Sequence, residues 1–409
     1  MLGRTLLSVL FAANVFAQTA PHALTAELEK IRKPVVLKDG RLTGAGAELL
    51  QKELASTQFF LIGEEHGTAE VARLTTALLP EAWKNGYRHV AMEVGPHSLP
   101  YIDSLEAIEK FDAKYRWSYP FLNWKEEAEL YAAAMKLGEG KRDTVWGVDQ
   151  EFVLFATPHL ERLVALAKND AQRAVATKLL ERSRAGEEEM FRTKSPAKLL
   201  MLSASAAEFE ELRNAFGGGD AEALRLIDAM EESRQIYQLG SVSGWGSNDQ
   251  RAHLIKRLFS ESYANAVARG EAKPKVIVKM GATHTMRGRS MTGVFDLGSM
   301  LPELATVNGT RSFSLLVIPR GGFTNEHRPF SPNTEDKRAP YDPKKLPFDG
   351  KPLFDAASAS EWSLFDLRAI RGPLARKKLD PMDERLRNVL WGYDAVLIIP
   401  EATPATLFH

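Results

Sequence analysis

Apolar residues along this chain fall into short unbroken runs, and the segments between them carry apolar positions at helical spacing. That alternation is the signature of a buried parallel sheet with helices between its strands. Phe59-Phe60-Leu61-Ile62-Gly63 is one such run, stopped by glycine and charge. Ala69 to Asn85 follows with helical periodicity and stops at Gly86. His89 to Val94 is a second run, ended by Gly95-Pro96. Phe59 to Val94 therefore reads as strand–helix–strand, a βαβ unit.

The pattern continues. Glu126 to Leu137 is helical, and Thr144 to Asp149 is a strand ending on an acid. From about Thr157 to Leu239 the chain is rich in Ala, Leu, Glu and Arg and poor in strand formers, which predicts three or four helices. Asn248 to Glu271 is a further helix. Lys275 to Gly281, Phe313 to Ile318, Ser363 to Ile370 and Ala395 to Ile399 read as strands. The resulting expectation is an α/β fold, an open and mostly parallel sheet flanked by helices. A helical insertion or cap would occupy about 155–240, and a long Pro-rich loop about 320–352. Residues 46–409 would form one catalytic domain, with 18–45 as a leader carrying one short helix. The glycine pairs at 44–46 and 138–140 lack the third glycine of a nucleotide loop.

Candidate chemistry sits where the predicted strands end, the edge at which open parallel sheets place ligands. The first strand ends in Gly63-Glu64-Glu65-His66-Gly67-Thr68. The second ends in Glu93, with His97 shortly after, and the third in Asp149-Gln150-Glu151. The fourth ends in Gly281-Ala282-Thr283-His284, with Arg287 beyond. Singly, each acid reads as a helix cap or turn and each histidine as an ordinary packed group. Together, at one topological edge, they make a site.

Composition narrows the options. Lys plus Arg and Asp plus Glu both number 53, so nothing asks for nucleic acid. Cysteine is absent, which removes disulfides, thiol nucleophiles, Cys-based metal sites and a lipobox. Arg4, the apolar stretch Leu6 to Phe16 and the small residues Val15 and Ala17 predict a signal peptide over 1–17. The expected location is periplasmic or secreted, without a stable membrane anchor. No serine lies in the G-x-S-x-G register, so the nucleophile is not a serine elbow. Met190, Phe191, Met201, Phe209, Phe216 and Tyr237 have the spacings of helix core. Trp117, Tyr119, Phe121 and Trp124 form a denser aromatic group after Glu93.

Several segments resemble the superfamily of erythromycin esterases, ChaN-like haem-binding proteins and TIKI/TraB metalloproteases. Gly63 to Glu70 is similar to the esterase signature G-E-x-x-H-G-T-x-E, with one residue fewer between Glu and His. Gly86 to Glu93 resembles its G-F-x-x-V-A-x-E, and Gly147-Val148-Asp149 its G-x-D. Asn248 to Arg251, Lys279 to His284 and Tyr393 to Thr406 resemble its later elements in order.

The esterase branch implies attack of water on an ester or lactone without a cofactor. His66 would be the base, and Glu64 or Glu93 would orient it. His284 and Arg287 would donate to the oxyanion. Asp149, Arg251, Glu65 and His97 would support from behind. The shortened spacing leaves open whether Glu64 or Glu65 takes the family glutamate's role. Two alternatives accompany this. A TIKI-like peptidase would hold Mn or Co through His66, His284, Glu64, Glu93 and Asp149. A ChaN-like protein would bind haem non-covalently, with the apolar residues around His97 or His159 as pointers.

Overall fold

The computed structural model describes residues 23–101, 104–115, 124–217, 220–325, 338–379 and 383–408. The signal peptide expected over 1–17, and Trp117, Tyr119 and Phe121, lie outside these. The strands are β1 Arg32–Lys38, β2 Arg41–Thr43, β3 Phe59–Glu64, β4 Tyr87–Met92, β5 Val145–Gly147 and β6 Lys275–Gly281. They continue with β7 Ser312–Pro319, β8 Phe323–Asn325, β9 Arg338–Pro340, β10 Trp362–Asp366 and β11 Ala395–Ile399. Nine of them form one sheet in the order β2-β1-β10-β11-β7-β3-β6-β4-β5, and β8 pairs with β9. From β11 to β5 every pairing is parallel. The mostly parallel α/β architecture expected from the sequence is thus the one observed.

The unbroken apolar runs are explained by burial on both faces. In β3, Phe60 and Ile62 enter a core shared with Leu50, Leu74, Leu78 and Leu130 from helices Ala45–Ser56, Ala69–Lys84 and Lys125–Leu137. Phe59 and Leu61 point to the opposite face, against Ile255 and Phe259 of helix Gly244–Ala268 and Leu301 of helix Leu297–Val307. Between β5 and β6 the chain builds helices Ala156–Leu166, Asp170–Thr193, Ala206–Phe216 and Ala221–Gly240 around their own core. Met190, Met201, Phe209 and Phe216 are fully packed within it. Side-chain caps at Asn169, Ser205 and Asp220 start three of those helices. No helix among the described residues is long and apolar enough to cross a membrane.

Two sequence readings are corrected. Residues 32–43 are no leader: β1 and β2 close one edge of the main sheet, with β1 antiparallel to β10. β1 lies second from that edge, between β2 and β10, and its half-exposed Lys- and Pro-bearing pattern reads as linker in the sequence. The loop 320–352 also carries structure, namely β8, β9 and the start of helix Lys351–Ala356.

The sheet's later half is locked by one buried acid. Asp394, just before β11, accepts from Arg287 Nη1 at 2.7 Å, from Arg287 Nη2, from Arg371 and from the Ser314 amide of β7. Removing it leaves the Arg287 guanidinium and the Ser314 amide without this acceptor, while Arg371 keeps the carbonyls of Trp391 and Tyr393. Asp394→Ala is expected to lower unfolding free energy by about 2–4 kcal/mol in urea titration. A loss below about 1 kcal/mol would show that the cluster is not structural.

Candidate active site

Four neighbouring parallel strands, β3, β6, β4 and β5, end at one edge. Their registers level the ends: Glu64 pairs with Gly281, and Met92 with Gly147. Four sequence segments scattered over some two hundred positions thereby meet. Glycine is required where they touch. A Cβ on Gly281 would stand 2.9 Å from His66 Nε2 and 3.2 Å from Glu93 Oε2. Gly67, at φ +85°, turns the chain back after His66.

His66 lies at the edge itself, its side chain 28% exposed while the carboxylates around it are about 5% exposed. Its Nδ1 is 3.0 Å from Glu64 Oε1. Its Nε2 is 3.6 Å from Glu93 Oε2, beyond hydrogen-bond length. A carboxylate accepts, so Nδ1 carries the proton and Nε2 keeps its lone pair in the neutral ring. Burial pulls the imidazole pKa down, but the Glu93 charge and the bond to Glu64 outweigh it and set it above the ordinary value. Glu64 has a second partner, the Lys279 ammonium at 2.7 Å. Burial pushes the Glu64 carboxyl up, and the charge of Lys279, joined by His66, holds it below its usual range.

Glu93 gathers donors from across the fold. Oε2 accepts the Gly281 amide at 2.6 Å, and Oε1 accepts Arg251 Nη2 at 2.7 Å. His284 Nε2 lies 3.4 Å from Oε1. Burial pushes this carboxyl up too, yet the charges of His284, His66 and Arg251 carry it well below the ordinary carboxylate value. Arg251 is fixed in turn by Asp149, at 2.9 Å from Nε and 2.5 Å from Nη2. His284 Nδ1 bonds Asp296 Oδ2 at 2.7 Å. Burial opposes its proton, but Glu93 and Asp296 push the imidazole up to about 10, so His284 is a cation at neutral pH.

The structure thus brings together His66, Glu64, Glu93, His284, Asp149 and Arg251. It sets three candidates apart. Arg287 is turned away to Asp394, because the chain after His284 folds back on the approach to β11. Arg251 supplies the guanidinium at Glu93 instead. Glu65 has no hydrogen-bond partner among the described residues, so Glu64 is the carboxylate that grips His66. The side chain of Glu65 is half-buried beside His66 and Glu64, and loss of solvent raises its pKa. His97 stands behind Asp149 in a cavity of about 210 Å³, and its amide donates to Glu151 at 2.9 Å. Sequence reasoning missed Lys279, Glu127 and Asp296. Lys279 gave a signal, a charge inside the run Val-Ile-Val-Lys-Met-Gly.

The metal alternative finds no ligand set. No group of three or more His, Asp and Glu side chains among the described residues is disposed to hold an ion. Glu64 and Glu93 already face Lys279 and Arg251. The residues do not fit a divalent ion. The haem pointer His159 has no nitrogen to offer, since Nε2 meets Glu151 at 3.0 Å and Nδ1 meets the Tyr101 hydroxyl at 3.2 Å.

No family model and no curated protein matches the chain. Solved structures do share its fold. A succinoglycan biosynthesis protein superposes with TM-score 0.58 at 14% identity, over 93% of this chain and 97% of its own. An erythromycin esterase mutant in its open conformation gives TM-score 0.56 at 12% identity, over 92% and 99%. A haem-binding ChaN of Campylobacter jejuni reaches only 0.27 at 11% identity, over 70% and 91%, too low to bear on this chain. At these identities the likeness is one of fold.

The charge on His284 ties stability to pH. Its folded pKa of about 10 exceeds the ordinary 6.5, so its contribution is whole below pH 6.5 and fades as pH rises through 10. Urea unfolding between pH 7 and pH 10 is expected to show declining stability, and His284→Gln should flatten that slope. An unchanged slope in the variant would place the titration elsewhere.

Proposed function

We propose that the chain is a hydrolase in which His66 activates water for attack on an ester or lactone of a small molecule. The observation carrying this reading is the placement of His66, an edge imidazole gripped at Nδ1 by a buried carboxylate and faced at Nε2 by a second. Nε2 takes the proton as the water oxygen bonds to the carbonyl carbon. Glu64 stabilises the imidazolium that forms. The same proton then passes to the departing alkoxide, giving acid and alcohol. His284, cationic and held by Asp296, is placed to donate to the oxyanion, a contribution worth roughly 3 kcal/mol in known sites of this kind. Arg251 and Asp149 keep Glu93 in place. Correspondence of fold with an erythromycin esterase supports hydrolysis as the class, and the earlier resemblance of the strand-end motifs points to an ester or lactone.

A panel of aryl esters and lactones tests the proposal. Turnover should survive EDTA and fall at least about a thousandfold in His66→Ala with the circular dichroism spectrum unchanged. Full activity in His66→Ala would sink the base assignment. Loss to EDTA with recovery on Mn or Co would favour the peptidase reading. Because His66 is raised above the ordinary imidazole value, kcat/KM should climb with pH through a midpoint above 6.5. A midpoint below 6.5 would contradict the assignment.

A further inference from the structure

A lysine inside a central strand needs a reason. Lys279 stands in β6 between Val278 and Met280, and its side chain is 3% exposed. Its ammonium lies 2.6 Å from Glu127 Oε1 and 2.7 Å from Glu64 Oε2. Glu127 comes from helix Lys125–Leu137 across the sheet face and is equally buried. Its second oxygen, Oε2, is buried with no hydrogen-bond partner among the described residues. Four groups therefore stand in series, Glu127, Lys279, Glu64 and His66. Plain core packing does not explain this. Burying two carboxylates and an ammonium costs several kcal/mol per ion, and apolar residues of similar size would fill the same space as well or better.

We propose that Glu127 and Lys279 are positioning residues that set the basicity of His66 through Glu64. The inference rests on the reading of His66 as the base. Its physics is a shared cation. With Glu127 ionised, the Lys279 charge is divided between two carboxylates, and Glu64 retains enough field to stabilise a proton on His66. With Glu127 neutral, that charge falls on Glu64 alone, and the imidazolium is disfavoured. Low local polarity makes each such change felt one residue further along.

Glu127 is poised to change state. Burial pushes its carboxyl up to about 7, against the pull of Lys279 and with help from the Glu64 charge. Lys279 itself stays charged, because Glu127 and Glu64 overcome burial and raise it to about 12. Surrounding charges have partners of their own. On helix Ala69–Lys84, Arg73 pairs with Glu126 and Glu70 takes Thr403. At the end of β4, Glu93 takes Arg251. Beside His66, the half-buried Glu65 carboxyl feels the charges of His66 and Glu64, and it is the same in every variant compared below.

Histidine NMR on the full chain tests this without a substrate, with His66→Ala identifying the signal. Glu127→Gln should lower the His66 pKa by roughly half to one pH unit, and Lys279→Met should raise it by a similar amount. The double variant, a neutral pair of similar bulk, should bring it back close to wild type. Simple loosening of the core would draw every variant towards the ordinary imidazole value instead. An unmoved pKa in Glu127→Gln, or shifts of one sign in both single variants, would overturn the inference. Failure here leaves the base assignment standing. Retained turnover in His66→Ala would remove that assignment whatever the titrations give.

Discussion

An anion buried at a sheet edge must be surrounded by donors, and Glu93 shows what that demands of a fold. It takes an amide from β6, a guanidinium from the helix Gly244–Ala268 and the imidazole of His284. These come from parts of the chain distant in sequence. Only a sheet with β3, β6, β4 and β5 adjacent and parallel levels them at one edge. The site is therefore a consequence of strand order, and glycine at 281 is the concession the backbone makes to bring it within reach.

The sheet also divides the chemistry. Glu64, Lys279 and Glu127 lie on the face covered by helices Ala69–Lys84 and Lys125–Leu137. Arg251, His284 and Asp296 lie on the face covered by Gly244–Ala268 and Leu297–Val307. His66 stands between, touching a carboxylate tied to each side. One ring thus feels two separately balanced clusters.

Much of this was legible in the sequence, and the rest failed for identifiable reasons. Apolar runs ending in Gly and charge marked β3, β4, β5 and β6, because a strand buried on both faces has no room for polar residues until it ends. That same rule put Glu64, Glu93, Asp149 and His284 at one edge. It could not separate Glu64 from Glu65, since neighbouring side chains at a strand end point to opposite faces and only register decides between them. Arg287 was assigned by proximity along the chain, but the backbone turns after His284 and delivers it to Asp394. Glu127 was illegible in a helix where acids ordinarily face solvent. Asp296 was hidden in a loop. Lys279 was readable, as a charge within an apolar strand that had to be paired.

In the hydrolase proposed above, His66 acts as a base because Glu64 holds it. A double-mutant cycle on kcat/KM for an ester the protein hydrolyses addresses it directly, with Glu64→Ala, His66→Ala and both together. If the two act as one unit, the double variant should be no more than about threefold slower than His66→Ala alone. If the separate losses multiply, Glu64 works independently of His66, and the account given for the base is wrong.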